Sequence, residues 1–132
     1  MKTILLSIDR NEARARAQAE TVVDLFETDS IEVVLFHVFE SNPEGATAQQ
    51  LGSIRRAREI LDEADIETVI NSDSGDPAEN ILRYADEIDA RAICIAGRKR
   101  SPAGKLVFGS ITQDVVLETE RSVLICNPTE DL

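Results

Sequence analysis

The sequence predicts an α/β protein built on an open five-stranded parallel sheet with helices on both faces. Apolar strand-like segments alternate with amphipathic helical segments along the whole chain, which is the pattern of a parallel sheet with crossover helices. The segments 32–38, 91–96 and 122–126 are almost continuously apolar, as expected of strands covered on both faces. The length of 132 residues fits one domain, which we expect to span residues 1–132.

The elements follow one another without a linker or an internal repeat. The predicted strands are residues 2–8, 32–38, 67–71, 91–96 and 122–126. The predicted helices are residues 12–26, 47–64, 77–88 and 110–118. Asn11 is a suitable N-cap for the first helix. Asp76, followed by Pro77 and Glu79, predicts the start of the third helix, because it combines a capping side chain, a proline in the first turn and a capping carboxylate.

The charge of the chain limits its partners. The sequence holds 25 acidic and 14 basic residues, for a net charge of -11, which argues against non-specific binding to nucleic acid or to an anionic membrane. The basic residues include only three lysines. An acidic, lysine-poor composition suits a cytoplasm rich in salt, so we expect a halophilic, cytoplasmic protein. No apolar run reaches the roughly 20 residues of a membrane helix, and the N-terminus predicts a strand rather than a signal peptide.

The residues that most often perform chemistry are few. Cys94 and Cys126 lie in apolar strand segments and are expected to be buried as small hydrophobic side chains. The single histidine, His37, is expected at a buried strand end rather than in catalysis. The sequence contains neither a metal-ligand spacing nor a nucleophile elbow, so we predict no catalytic residue and no metal site.

Two loops are predicted to form the functional site. One is Ser7-Ile8-Asp9-Arg10 after the first strand, and the other spans residues 97–110 after the fourth. In the strand order 3-2-1-4-5 both loops border the crevice where an open sheet binds ligands. Four of the 14 Lys and Arg residues lie between Arg98 and Lys105, so this loop is either a phosphate-binding loop or a solvated tip. A P-loop is absent.

The two loops offer complementary hydrogen-bonding groups. Asp9 is either a turn and capping residue or the acceptor for a ribose hydroxyl or an adenine amine. Ser110 is expected to cap the fourth helix, where the free N–H groups of Ser110, Ile111 and Thr112 suit a phosphate.

The chain resembles the universal stress protein family over essentially its full length. The matching segments are residues 4–9, 35–38, 75–82, 95–98, 109–115 and 122–126. The resemblance implies a Rossmann-like sheet and a homodimer that pairs through residues 122–126. Nucleotide-binding members carry a Gly-x2-Gly-x9-Gly-Ser/Thr motif, which Gly97 and Gly109-Ser110 match at its two ends. Arg100 stands where the second glycine belongs, and the spacer before Gly109 is one residue short.

The resemblance therefore implies a stress-response regulatory domain that binds ATP or AMP, with Mg²⁺ accompanying ATP, and without significant turnover. By this resemblance Asp9 lies near the adenosine and the Val38 backbone meets the base. Arg100 departs from the motif, and we expect its guanidinium to contact the phosphate in place of the glycine backbone. The predicted binding residues are Ser7, Ile8, Asp9, Val38, Ala96, Gly97, Arg98, Arg100, Gly109, Ser110, Ile111 and Thr112. Two alternatives stay open: a nucleotide-free dimeric module that binds a protein partner, and a weak ATPase.

Overall fold

The computed structural model describes residues 1–42, 44–97 and 108–127. The strands are β1 (Lys2–Ser7), β2 (Ile31–Phe39), β3 (Glu67–Ser74), β4 (Ala92–Ala96) and β5 (Ser122–Cys126). The helices are α1 (Glu12–Leu25), α2 (Gly52–Glu63), α3 (Pro77–Glu87) and α4 (Ser110–Glu118). All five strands run parallel in one sheet with the order β3-β2-β1-β4-β5. The predicted fold class and strand order are confirmed.

The core lies in two layers, one on each face of the sheet. Side chains of β1 alternate between them: Ile4 and Leu6 face α1 and α2, whereas Leu5 faces α3 and α4. The first layer includes Ala15, Ala19, Val22, Ile54, Ala57 and Leu61 from its helices. The second includes Ala78, Ile81, Ala85 and Val115. This arrangement explains why the central strands are apolar throughout, since neither face meets water.

Both predicted helix starts are present. The Asn11 side chain accepts a hydrogen bond of 2.9 Å from the Arg14 backbone N–H at the start of α1. Asp76 accepts one of 3.0 Å from the Glu79 N–H at the start of α3. Each cap satisfies a backbone donor that has no partner within the helix.

Two predicted boundaries were wrong. α2 begins at Gly52 rather than at residue 47, because Thr47 and Gln50 form a capping box around a short 3-10 turn. Leu51 is then extended, with φ -74° and ψ 131°, and this separates the turn from the helix. β3 continues to Ser74 rather than ending at residue 71, because it stays paired with β2 up to Phe39.

Both cysteines lie in the interior of the protein. Cys94 and Cys126 are free and buried, as predicted. The neighbouring Cys126 thiol and burial both raise the pKa of Cys94, so this thiol stays protonated.

Among the described residues, no helix has the length and apolar character needed to cross a membrane.

Candidate functional site

A crevice opens at the carboxyl end of the sheet, where β1 and β4 separate. The two strands are paired from Ile4 and Ala92 up to Leu6 and Cys94. Beyond that point β1 follows β2, with the Ile8 N–H donating to the Phe36 carbonyl over 2.9 Å. β4 follows β5 instead. Because the strand order reverses here, the chain on each side turns away and leaves a gap, which is where ligands bind in open α/β sheets.

The crevice has a volume of about 450 Å³, within the range of small-molecule sites. Residues from β1, β2, β4, α1, α3 and α4 and the adjoining loops border it. They are Ser7, Ile8, Asp9, Arg10, Asn11, Arg14, His37, Val38, Glu40, Ser41, Pro77, Ile81, Ile95, Ala96, Gly109, Ile111 and Thr112. The lining combines an apolar part with charged and hydroxyl groups at its rim.

The apolar part lies on the side of the sheet that α3 and α4 cover. Val38 and Ile95 come from strand ends, Ile81 from α3 and Ile111 from α4. Val38, Ile81 and Ile95 are almost fully buried, so their positions are fixed by core packing. Such a slot accepts a flat, largely apolar group whose edges carry hydrogen-bonding atoms.

The Asp9 carboxylate is held at the rim by two donors. Its Oδ1 accepts 2.8 Å from the Asn11 N–H, and its Oδ2 accepts 2.8 Å from Arg14 Nε. The Asp9 carbonyl also accepts from the Ser53 hydroxyl of α2. A carboxylate has about four lone-pair positions, so each oxygen keeps an acceptor position for a ligand. Asp9 is therefore a turn residue, which was one of the two roles expected from the sequence. It also lines the crevice.

His37 lies at the end of β2, 6% exposed, as the sequence predicted. Its Nδ1 is 2.6 Å from the Ile8 carbonyl oxygen, and because a carbonyl only accepts, Nδ1 carries the proton. Burial lowers the pKa of His37, and the charge of Arg10 adds to this effect. The ring is therefore neutral at pH 7. It packs edge-on against Phe39 at 4.5 Å, and the Arg10 guanidinium lies 5.7 Å from the Phe39 ring centroid.

α4 presents its N-terminus to the crevice. Gly109 is the N-cap, with φ -76° and ψ 168°, and no side chain caps this helix. The first bond within the helix runs from the Gln113 N–H to the Gly109 carbonyl. The predicted capping role of Ser110 was therefore wrong: Ser110 is the first helical residue, since the preceding glycine adopts the extended capping conformation. The N–H groups of residues 110–112 lie where helices bind anions.

The structure brings most of the predicted site residues together. Those that line the crevice are Ser7, Ile8, Asp9, Val38, Ala96, Gly109, Ile111 and Thr112. Gly97 and Ser110 are next in sequence to residues that line the crevice, but they do not line it themselves. Arg98 and Arg100 lie outside the described residues.

Sequence reasoning missed the contributions of α1 and α3. Arg14 lies in the first turns of α1, and Pro77 and Ile81 lie one helical turn apart at the start of α3. A signal for them was present, because helix N-termini face the carboxyl end of a parallel sheet. Whether Arg14 or Arg16 points back to Asp9 depends on the helix phase, which the periodicity of the sequence did not define closely enough.

Within residues 1–42, 44–97 and 108–127, no three His, Cys, Asp or Glu side chains cluster in a way that could hold a metal ion.

The fold and the crevice define a doubly wound α/β protein with a ligand-sized opening at its switch point. The chain belongs to the universal stress protein family, whose sequence model matches residues 1–127. The stress response protein NhaX of Bacillus subtilis (strain 168) is 35% identical over 72 residues, which cover 54% of this chain and 43% of that protein. The match thus spans less than half the length of this relative.

Solved structures of the family share the fold over nearly the whole chain. A universal stress protein from Archaeoglobus fulgidus is 27% identical, with a TM-score of 0.72 over 96% of this chain and 98% of that one. One from the same organism in complex with dAMP is 21% identical, with a TM-score of 0.68 and the same coverage. An Arabidopsis thaliana family protein with AMP bound is 13% identical, with a TM-score of 0.73 over 99% and 94% of the two chains.

Proposed function

We propose that the crevice binds an adenine nucleotide, AMP or ATP, and that binding regulates the protein without significant turnover. One observation carries this proposal: an apolar slot, the Asp9 carboxylate and the N-terminus of α4 all border the same cavity. A base requires an apolar surface, a ribose requires a hydrogen-bond acceptor, and a phosphate requires hydrogen-bond donors. The nucleotides bound by relatives of the same fold, dAMP and AMP, support this choice of ligand.

Each part of the nucleotide has a matching group. The base lies in the slot between Val38 and Ile95, with the Val38 backbone at its polar edge. A ribose hydroxyl donates to Asp9, whose oxygens retain lone pairs. The phosphate accepts from the N–H groups at the start of α4. Arg98 and Arg100, which the sequence places shortly before this helix, supply guanidinium groups to the same phosphate.

The charges around the crevice support an anionic ligand. The charged residues in its lining are Arg10, Arg14, Asp9 and Glu40, which cancel, although the chain as a whole carries -11. A negatively charged ligand entering here meets a locally neutral surface rather than an acidic one. Long-range repulsion from the remaining acidic groups weakens as salt shortens the screening length.

The test is titration calorimetry of the full chain in KCl buffer with AMP and with ATP, each with and without Mg²⁺. Occupancy at 100 times the dissociation constant should raise the free energy of unfolding by about 2.7 kcal/mol, which thermal unfolding measures independently. Asp9→Ala should weaken binding, whereas Asp24→Ala, which removes an exposed carboxylate outside the crevice, should not. Absence of heat and of stabilisation with every adenine nucleotide at millimolar concentration contradicts the proposal.

The two alternatives make different predictions in the same experiments. A nucleotide-free module captures a protein partner whether or not nucleotide is present, and loses it when Arg98, Lys99 and Arg100 are replaced by alanine. A weak ATPase releases phosphate from ATP faster than its Asp9→Ala variant does. Nucleotide binding without phosphate release distinguishes the proposed function from both.

We further propose that two copies pair through β5. β5 is an edge strand, and its residues Val123, Leu124 and Ile125 remain partly exposed. On α4, Val116 is 38% and Leu117 is 80% exposed. A second copy of the chain would pair with the open edge of β5 and cover these side chains. This would prevent the aggregation to which an exposed apolar edge strand is prone.

A further inference from the structure

A buried glutamine joins the two strands at the root of the crevice. Gln18 of α1 is fully buried. Its Nε2 donates 2.8 Å to the Ser7 carbonyl of β1 and 3.1 Å to the Cys94 carbonyl of β4. The pairing of β1 with β4 ends at Leu6 and Cys94, so this amide bridges the two strands immediately where they part.

The orientation of the amide follows from its partners. Both partners are carbonyl oxygens, which only accept, so the NH₂ group must face them and Oε1 must point elsewhere. Oε1 is buried and has no hydrogen-bond partner among the described residues. A buried acceptor without a partner destabilises the folded state. An apolar side chain among Ala15, Ala19 and Val22 would avoid this penalty, but it would leave the Ser7 and Cys94 carbonyls without the Nε2 donor.

We infer that Gln18 is a positioning residue that sets the width of the ligand crevice. Its two hydrogen bonds fix the separation of the strand ends from which Ser7, Asp9 and Ala96 project into the cavity. Arg14, one helical turn earlier on α1, holds Asp9, so the same helix fixes both the strand ends and the carboxylate at the rim. This inference rests on the proposed function for its ligand.

Gln18→Met and Gln18→Leu test the inference, because both remove the amide and keep a side chain of similar size. We expect the affinity for AMP, measured by calorimetry, to fall about tenfold, which corresponds to about 1.4 kcal/mol. The midpoint of urea unfolding should change little, because the penalty of the unpartnered Oε1 and the two hydrogen bonds of Nε2 disappear together. Thr68→Val is the matched control: it removes a hydroxyl that donates to a backbone carbonyl, that of Ile66, on the edge strand β3.

A second measurement keeps the inference separate from the proposed function. Hydrogen exchange of the unliganded protein should accelerate at the Ile8 and Gly97 amides in the Gln18 variants and not in Thr68→Val. These amides donate to carbonyls of β2 and β5 beside the crevice. This holds even if wild type fails to bind AMP, a result that would remove only the proposed function. Unchanged exchange at both amides overturns the inference. So does a parallel loss of affinity and global stability, or the failure of both variants to fold, since Gln18 would then be a general structural residue.

Discussion

Arg14 Nε donates a 2.8 Å hydrogen bond to Asp9 Oδ2, which joins the first turns of α1 to the loop after β1. The Arg14 side chain is 19% exposed and that of Asp9 is 48% exposed, so the pair lies at the boundary between protein and solvent. Arg14 thereby fixes the direction of a carboxylate that the proposed ligand must meet, and it balances the charge of that carboxylate inside the crevice.

Replacing Arg14 with methionine should weaken AMP binding by about fivefold, because a partly exposed ion pair contributes about 1 kcal/mol at most. Adenosine should lose less affinity than AMP, since it has no phosphate to feel the lost positive charge. Calorimetric titration with both ligands gives the two ratios. Arg58→Met, which removes an exposed arginine paired with Asp62 on α2, should leave both affinities unchanged. An equal loss for AMP and adenosine would assign Arg14 a purely geometric role.

The protonation of His37 predicts how stability depends on pH. Burial holds the pKa of His37 below its usual value of 6.5 in the folded protein, so the unfolded chain binds the proton more readily. The stabilising contribution of His37 is therefore complete above pH 6.5 and declines as the pH falls through 6.5 towards the folded-state pKa. The difference in unfolding free energy between wild type and His37→Gln should shrink from pH 7.5 to pH 5.5 in urea titrations. A constant difference would show that His37 does not titrate differently on folding.

Leu117→Lys should shift the protein from dimer to monomer in light scattering coupled to size exclusion. Leu117 is 80% exposed in the single chain, so a lysine there leaves the fold of each copy intact, while its charge disfavours burial in an interface. Val69→Lys is the control, since Val69 is 43% exposed on β3, the strand at the opposite edge of the sheet. If wild type is monomeric, or if both variants behave alike, the proposed interface is wrong.

Raising KCl from about 0.1 M to 1 M should raise the midpoint of thermal unfolding. The screening length falls from about 10 Å to 3 Å over this range, which relieves repulsion among the groups that give the chain its charge of -11. Sucrose solutions of matched water activity separate this charge effect from general exclusion of the solute. A midpoint that stays constant or falls with KCl would contradict the expected adaptation to salt.

The sequence predicted the sheet and much of the crevice because both follow from local patterns. The apolar strands, the caps Asn11 and Asp76 and the alternation of elements each depend on neighbouring residues. Asp9 could be placed at the crevice because it follows a strand, and the ends of parallel strands meet at one edge. Val38 was placed there by the resemblance to the family. The start of α2 could not be placed, because the Thr47–Gln50 capping box also fits a short isolated turn.

What the sequence determined by itself was the order of the elements and the residues at their ends, since these depend on periodicity and on the chemistry of turns. Only the tertiary structure decided that Arg14 reaches Asp9 and that Gln18 donates to Ser7 and Cys94. Gln18 and Cys94 lie 76 positions apart in the chain. Contacts of this kind depend on the phase of a helix and on how closely it packs against the sheet, and these are fixed only when the whole core forms.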